Sequence, residues 1–222
     1  MTLQERTSAD EAIERFDTEQ AAAKYSKSLV GSATHQREMR CILAGLGEMK
    51  RGAKVLDLPC GTGRLLKELS ERGWEVVSAD SSAHMVGLAK DHAKRVGLNT
   101  DAARFVVASV MKTPFGDGEF DGVVCNRLLH HFREADVRQA ALKELRRICK
   151  GRIVVSFFSS ASFDGVMFKL KDAMRRRKAT DRIPISSAEI EADVRASGLR
   201  VAKWLWTRRG ISKQCYVALE RV

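Results

Sequence analysis

Lys54-Val55-Leu56-Asp57-Leu58-Pro59-Cys60-Gly61-Thr62-Gly63-Arg64, followed by Asp80 at the end of the next apolar run, decides the fold of this 222-residue chain. Lys54 to Leu58 is short and apolar, the pattern of a strand buried on both faces of a parallel sheet. Gly61 and Gly63 then let the backbone turn tightly and come close to a ligand. Arg64 to Leu69 starts a helix with leucines three apart, and Gly73 stops it. The N–H groups at that helix start can face the polar part of a ligand. Glu75 to Ala79 is the next strand, ending in Asp80, where a carboxylate can accept bonds from both hydroxyls of a ribose. Strand, glycine loop, helix, strand and acid make up one half of a nucleotide-binding α/β sheet.

Two details separate the cofactors such a unit can hold. The dinucleotide fingerprint is G-x-G-x-x-G, whose third glycine allows close helix–strand packing. Here Leu66 fills the third position. Asp57 also sets a negative charge beside the loop, which repels a pyrophosphate and suits a cation or an amine. A cofactor with a ribose, an ammonium, a sulfonium and no phosphate satisfies both details, and S-adenosylmethionine is one.

The chain resembles the class I S-adenosylmethionine-dependent methyltransferases of the small-molecule type over roughly Lys54 to Phe157. Their first motif is close to D-x-G-x-G-x-G, matched by Asp57 to Gly63. Their second is an acid after strand two, matched by Ala79-Asp80-Ser81-Ser82 with Met85. Phe105 to Val110, Pro114-Phe115, Phe120 to Asn126 and Leu129-His130-His131-Phe132 follow in the family's order. The resemblance implies a Rossmann-like three-layer sandwich of seven strands, parallel but for a C-terminal antiparallel hairpin. It also implies that S-adenosylmethionine is held by Asp57, Leu58, Pro59, Cys60, Gly61, Gly63, Asp80, Ser81, Met85, Ser109, Val110, Asn126 and Arg127. Two positions depart from the family. Pro59 replaces the first loop glycine and has no N–H to offer. Ser109 stands where an aspartate often holds the adenine amino group, and serine carries no charge.

Composition narrows the setting. Hydrophobic residues make up 44% of the chain, enough for a full core. No run approaches the roughly 18 apolar residues of a membrane span, and Met1 to Arg6 lacks the basic-then-apolar pattern of a signal peptide. Five dispersed cysteines without a C-x-x-C pair argue against a disulfide framework or a zinc site, and for a reduced, cytoplasmic protein. Cys60 reads as a small loop-filling residue rather than a nucleophile. The net charge of +11 favours acidic partners: nucleic acid, anionic lipid, or an acidic small molecule.

Residues 1–50 read as a helical cap over the site, with helices starting at Ser8 and running over Gln20 to Lys27 and Gln36 to Leu46. Tyr25, Arg37 and Arg40 are its candidate contacts. Residues 51–222 form the cofactor domain. Ser81 or Ser82 caps a helix that runs to Val96. Phe105 to Ala108, Phe120 to Cys125 and Arg152 to Phe158 are strands three to five, the fourth apolar enough to be central. Ala135 to Ile148 and Ser187 to Ser197 are helices. Leu199 to Thr207 and Ser212 to Glu220 flank Arg208-Arg209-Gly210 as a hairpin, whose Trp204 and Trp206 point to one side and read as core. Residues 159–185 exceed the usual connection of about two to six residues and read as a lid-like insert.

Ligands of open α/β sheets sit outside the carboxyl ends of the strands. Asn126 to His131 follow strand four and so face the acceptor. Arg127 can meet the cofactor carboxylate or an acidic acceptor. His130 or His131, with His131 ahead by position, can take a proton from a hydroxyl or phenol. Phe163, Val166, Met167, Leu170 and Met174 recur at helical spacing among Lys169, Lys171 and Arg175-Arg176-Arg177-Lys178. That basic amphipathic helix, 163–178, fits a lid over an apolar acceptor, a dock on an anionic surface, or a phosphate contact. Three functions stay open: a methyltransferase acting on a small or lipid-like acceptor, an RNA methyltransferase, and a catalytically silent cofactor-binding subunit.

Overall fold

The computed structural model describes residues 6–17, 31–98, 100, 104–174 and 182–222. Seven strands form one sheet in the order β3-β2-β1-β4-β5-β7-β6. These are β1 (Lys54–Asp57), β2 (Glu75–Asp80), β3 (Arg104–Val107), β4 (Phe120–Cys125), β5 (Cys149–Phe158), β6 (Leu199–Trp206) and β7 (Gln214–Arg221). The first five pair in parallel, and β7 runs antiparallel to both β5 and β6. The expected sandwich with its closing hairpin is present, and β4 lies at the centre.

Strand alternation builds two cores. On one face Leu56, Val77 and Val123 pack under Leu142 and Leu145 of α5 (Ala135–Ile148) and Ile190 of α7 (Ser187–Ala196). On the other, Val55, Val76, Val124 and Val154 pack under Met39, Ile42 and Leu46 of α2 (Ala33–Leu46) and Leu66 and Leu69 of α3 (Leu66–Ser70). Burial on both faces explains why β1 and β4 read as continuous apolar runs.

The helix starts obey local chemistry. Thr7 caps α1 (Ser8–Phe16), with Asp10 completing a capping box. Ser82, not Ser81, caps α4 (Ala83–Arg95), and Ser186 with Glu189 boxes α7. Some boundaries move. β5 begins at Cys149 rather than Arg152, and α3 begins only at Leu66, because the glycine loop is still turning through Arg64. Trp204 packs against the core, but Trp206 is 38% exposed; it stacks on Trp204 and carries Arg209 over its ring. β6 is the sheet edge among the described residues and Trp206 stands at its end, so its expected place in the core is corrected.

The segment before β1 divides. α1 lies beside the carboxyl ends of the strands, while α2 packs on the sheet face against β4, β5 and β7. The helix expected over Gln20 to Lys27, with Tyr25, lies outside the described residues, as do Arg175 to Lys178. In the insert, Ser159 bridges Ile185 and α6 (Phe163–Met174) leaves Phe163, Val166 and Leu170 exposed.

Candidate functional site

Chain order reverses between β1 and β4, and a pocket opens at their carboxyl ends, where α/β sheets place ligands. It encloses about 1080 Å³, open solvent at the mouth included. Every cofactor-binding residue named from the sequence lines it except Gly63, and so does His131. Gly63 serves packing instead: it has φ +78°, and a Cβ there would lie 3.0 Å from the Ala89 Cα in α4. It thus does for the loop and its neighbouring helix what a third glycine does in a dinucleotide fold. Gly61, at φ +53°, has open space where a Cβ would stand.

Asp57 closes β1 with a fully buried side chain, and neither carboxylate oxygen has a hydrogen-bond partner among the described residues. Burial pushes its pKa up to about 8; the Arg64 charge pulls the other way and the Asp80 charge adds to the rise. Asp80 is also raised by burial, opposed by backbone donors. Its Oδ2 accepts from the Gly61 N–H at 2.9 Å and its Oδ1 from the Ser82 N–H at 3.0 Å. A carboxylate has about four acceptor sites, so both oxygens keep capacity for a ligand. Ser109 accepts the Met111 N–H at 3.2 Å, so its hydroxyl shapes the turn around the pocket. Burial, reinforced by the Asp80 and Asp57 charges, pushes the Cys60 thiol well above its ordinary value, which suits a filler rather than a nucleophile.

After β4, Asn126 accepts at Oδ1 from the Tyr216 hydroxyl at 2.9 Å and from the Ser156 hydroxyl at 3.1 Å. Two donors therefore orient its amide, and the side chain lines the pocket. Arg127 takes φ +60°, which non-glycine residues seldom adopt, with its N–H bonded to Ser156 Oγ at 2.7 Å. Its guanidinium meets Glu38 Oε1 at 2.6 and 3.1 Å, a pairing that sequence reasoning missed. The two histidines part company. His131 lines the pocket. His130 stacks on Phe158 at 3.7 Å between ring centroids, and its Nδ1 has no partner among the described residues. Burial pushes His130 well below its ordinary pKa, and the His131, Arg182, Arg127 and Lys213 charges push the same way.

Arg37 and Arg40 do not line the pocket, because α2 turns the opposite face inward, with His35, Glu38, Met39 and Ile42 buried. The missed residues are Arg64, which lines the pocket, and Glu38, which holds both Arg64 and Arg127. One signal was available. Glu38 shares the helical face of Ile42 and Leu46, and a carboxylate on an apolar stripe needs a cation. Ala9, Ala12 and Ile13 from α1 complete the wall, together with Leu128 and Phe132 from the segment after β4.

Residues 55–152 match a family model described as a methyltransferase domain. A demethylmenaquinone methyltransferase from Corynebacterium glutamicum is 36% identical over 118 residues, covering 51% of this chain and 45% of that protein. A ubiquinone/menaquinone biosynthesis C-methyltransferase from Pseudomonas fluorescens is 31% identical over 176 residues, 76% of this chain and 66% of that protein. The chain thus spans about half to two thirds of the length of these curated relatives. Among solved structures, magnesium protoporphyrin IX methyltransferase from Synechocystis superposes with a TM-score of 0.77 at 17% identity, covering 96% of this chain and 99% of that one. The 1,6-didemethyltoxoflavin-N1-methyltransferase from Burkholderia thailandensis gives 0.67 at 18% identity, covering 100% and 93%. At these identities the structural likeness is one of fold.

Proposed function

We propose, from the premise that this chain belongs to the class I S-adenosylmethionine-dependent methyltransferase family, that it methylates a small or amphipathic acceptor at this pocket. The observation that carries the reading is Asp57. A buried carboxylate with no donor costs free energy unless a cation or donor meets it. The ammonium of S-adenosylmethionine meets that need, whereas the pyrophosphate of a dinucleotide opposes it. Asp80 has acceptor capacity for the ribose hydroxyls, and Met85, Ala108 and Val110 offer apolar surface to the adenine. When bound, the cofactor supplies a methyl group on a sulfonium, an electrophile that needs orientation more than activation.

The chain's own tasks are then binding, alignment and exclusion of water. Leu128, Phe132 and Ile13 supply apolar wall for an acceptor ring or chain. For a hydroxyl or phenol acceptor, His131 is the residue we assign to take the proton. The two quinone-biosynthesis relatives make quinols and phenols the first acceptors to try. The exposed Phe163, Val166 and Leu170 of α6 support peripheral contact with an anionic surface, from which an amphipathic acceptor could enter. An RNA acceptor draws on the net charge of +11 and on the basic run Arg175-Arg176-Arg177-Lys178, and a salt-sensitive affinity for RNA would favour it.

Titration calorimetry with S-adenosylmethionine, with NAD as control, tests the reading. Binding of the first alone supports it. Failure of both sinks the cofactor assignment, and binding without turnover on any acceptor favours a silent subunit.

A further inference from the structure

Glu38 has no place in any cofactor motif, yet it is the buried hub of a charge cluster beside the pocket. Its side chain is fully buried on α2. Arg127 reaches Oε1 at 2.6 Å through Nη2 and at 3.1 Å through Nε. The Arg64 Nη1 lies 2.7 Å from Oε2, but among the described residues no N–H is aimed at that oxygen, so this contact is charge attraction without a formed hydrogen bond. The same Nη1 donates to His35 Nδ1 at 2.8 Å, and His35 Nε2 pairs with Glu68 Oε1 at 2.6 Å. Arg64 ends the glycine loop and Arg127 follows β4, so one carboxylate on α2 ties together two loops of the site.

Both arginines line the pocket, and Arg64 is close enough to Asp57 to draw its pKa down. Glu38, Arg64 and Arg127 together carry one net positive charge next to the buried Asp57 carboxyl, which ionises when a ligand ammonium meets it. An amino acid zwitterion presents the complementary pair. Two guanidinium groups side by side repel each other unless a carboxylate sits between them. The left-handed backbone at Arg127 is held by the Ser156 bond at one end and the Glu38 pair at the other.

We propose that Glu38 is a positioning residue: it gathers Arg64 and Arg127 so that their remaining N–H groups meet the carboxylate of the cofactor's amino acid end. The proposal rests on the S-adenosylmethionine reading above. Two effects of Glu38 oppose each other. Its charge weakens the attraction of the arginines for an anion, and its bonds place them. Positioning predicts that the second effect wins.

The test compares two ligands in the full chain by calorimetry. S-adenosylhomocysteine carries the amino acid end, and 5′-methylthioadenosine lacks it. Glu38→Gln should lower affinity for S-adenosylhomocysteine about tenfold or more and leave 5′-methylthioadenosine within about twofold, a selective loss expected when aligned charge-assisted bonds are lost. Equal losses for both ligands would make Glu38 a purely structural residue, and a gain for S-adenosylhomocysteine would make it a competitor of the ligand; either overturns the proposal. Arg127→Gln should show the same selectivity, and the double variant should be no worse than the worse single one, since the residues act as a unit. Additive losses overturn it. If Glu38→Gln does not fold, Glu38→Asp, which keeps the charge and withdraws it by one methylene, takes its place: a selective loss supports positioning, and equal losses or a gain overturn it. If the unaltered protein binds neither ligand, the cofactor reading itself fails, an outcome distinct from a failure of the role given to Glu38.

Discussion

The N–H of Gly61 donates to Asp80 Oδ2 at 2.9 Å, so the acid that ends β2 also pins the glycine loop that leaves β1. Asp80 therefore has two tasks. Asp80→Asn keeps one oxygen but turns an amide N–H₂ toward a backbone donor. We expect the ligand-free protein to lose about 1–3 kcal/mol, the cost of an unsatisfied buried group. We also expect S-adenosylmethionine affinity to fall at least 100-fold. Thermal unfolding and calorimetry on one sample separate the two losses. Unchanged stability with lost binding would restrict Asp80 to ligand contact.

Asp57 makes binding depend on pH. In the ligand-free pocket its carboxyl titrates at about 8, so at pH 7 it is mostly protonated. A ligand ammonium favours the ionised form, and the proton must leave as the ligand enters. Affinity should rise up to about tenfold per pH unit from 6 toward 8, and fall again above that as the ligand's own amine, with a pKa of about 8, deprotonates. At pH 7 calorimetry in buffers of different ionisation enthalpy should show close to one proton released. An affinity flat between pH 6 and 8 would rule the coupling out.

The same shift has a consequence for stability. A carboxyl whose folded pKa lies above its unfolded value of 3.8 stabilises fully below pH 3.8, and that contribution is lost as pH rises toward 8. At pH 7 the native state carries the cost, and Asp57→Asn relieves it. The ligand-free variant should melt a few degrees higher at pH 7, on the scale of roughly 2–4 °C per kcal/mol for a chain of this size. It should show no gain at pH 4, and S-adenosylmethionine binding should be lost. A lower melting temperature at pH 7 would mean that Asp57 already has a structural partner.

Which parts were legible from sequence follows from how local their causes are. The β1 loop, Asp80, the central β4 and the closing hairpin are written in short runs whose periodicity and turn residues suffice. So were the pocket-lining Asp57, Asp80, Ser109 and Asn126, because they follow strand ends in a sheet whose order the motifs fix. Glu38 was not, since its partners lie 26 and 89 positions away along the chain and only the fold brings them together. Arg37 and Arg40 misled for a related reason: charge marks a residue as polar but does not say which side of α2 meets the sheet. Trp206 misled because alternation places both tryptophans on one face without saying that β6 is an edge.

The two loop glycines should fail in different ways. Gly63→Ala forces a side chain into left-handed backbone and presses its Cβ on the Ala89 backbone. The expected cost is about 1–3 kcal/mol of stability. Binding per folded molecule should stay near normal, because Gly63 does not line the pocket. Gly61→Ala meets no protein atom, so its stability cost should be the smaller. Its methyl group stands in the pocket, however, and affinity for S-adenosylmethionine should drop at least tenfold. Melting curves and calorimetry on both variants give the comparison, and equal patterns would contradict the division of labour.

The adjacent histidines give the sharpest test of the acceptor side. His131→Ala should leave S-adenosylhomocysteine affinity within about threefold and lower turnover by roughly 10²–10⁴, the range for removing a general base. The drop should shrink at high pH, where a phenol acceptor ionises unaided. His130→Phe should behave otherwise. A phenyl ring can keep the stack on Phe158 and removes a buried nitrogen that has no hydrogen-bond partner among the described residues, so stability should hold or rise slightly and turnover should persist. Radiolabelled methyl transfer to a panel of quinols and phenols provides the readout. If His131→Ala is fully active on whichever acceptor is methylated, transfer proceeds by alignment alone, and the proton leaves to solvent or to the acceptor's own basic group.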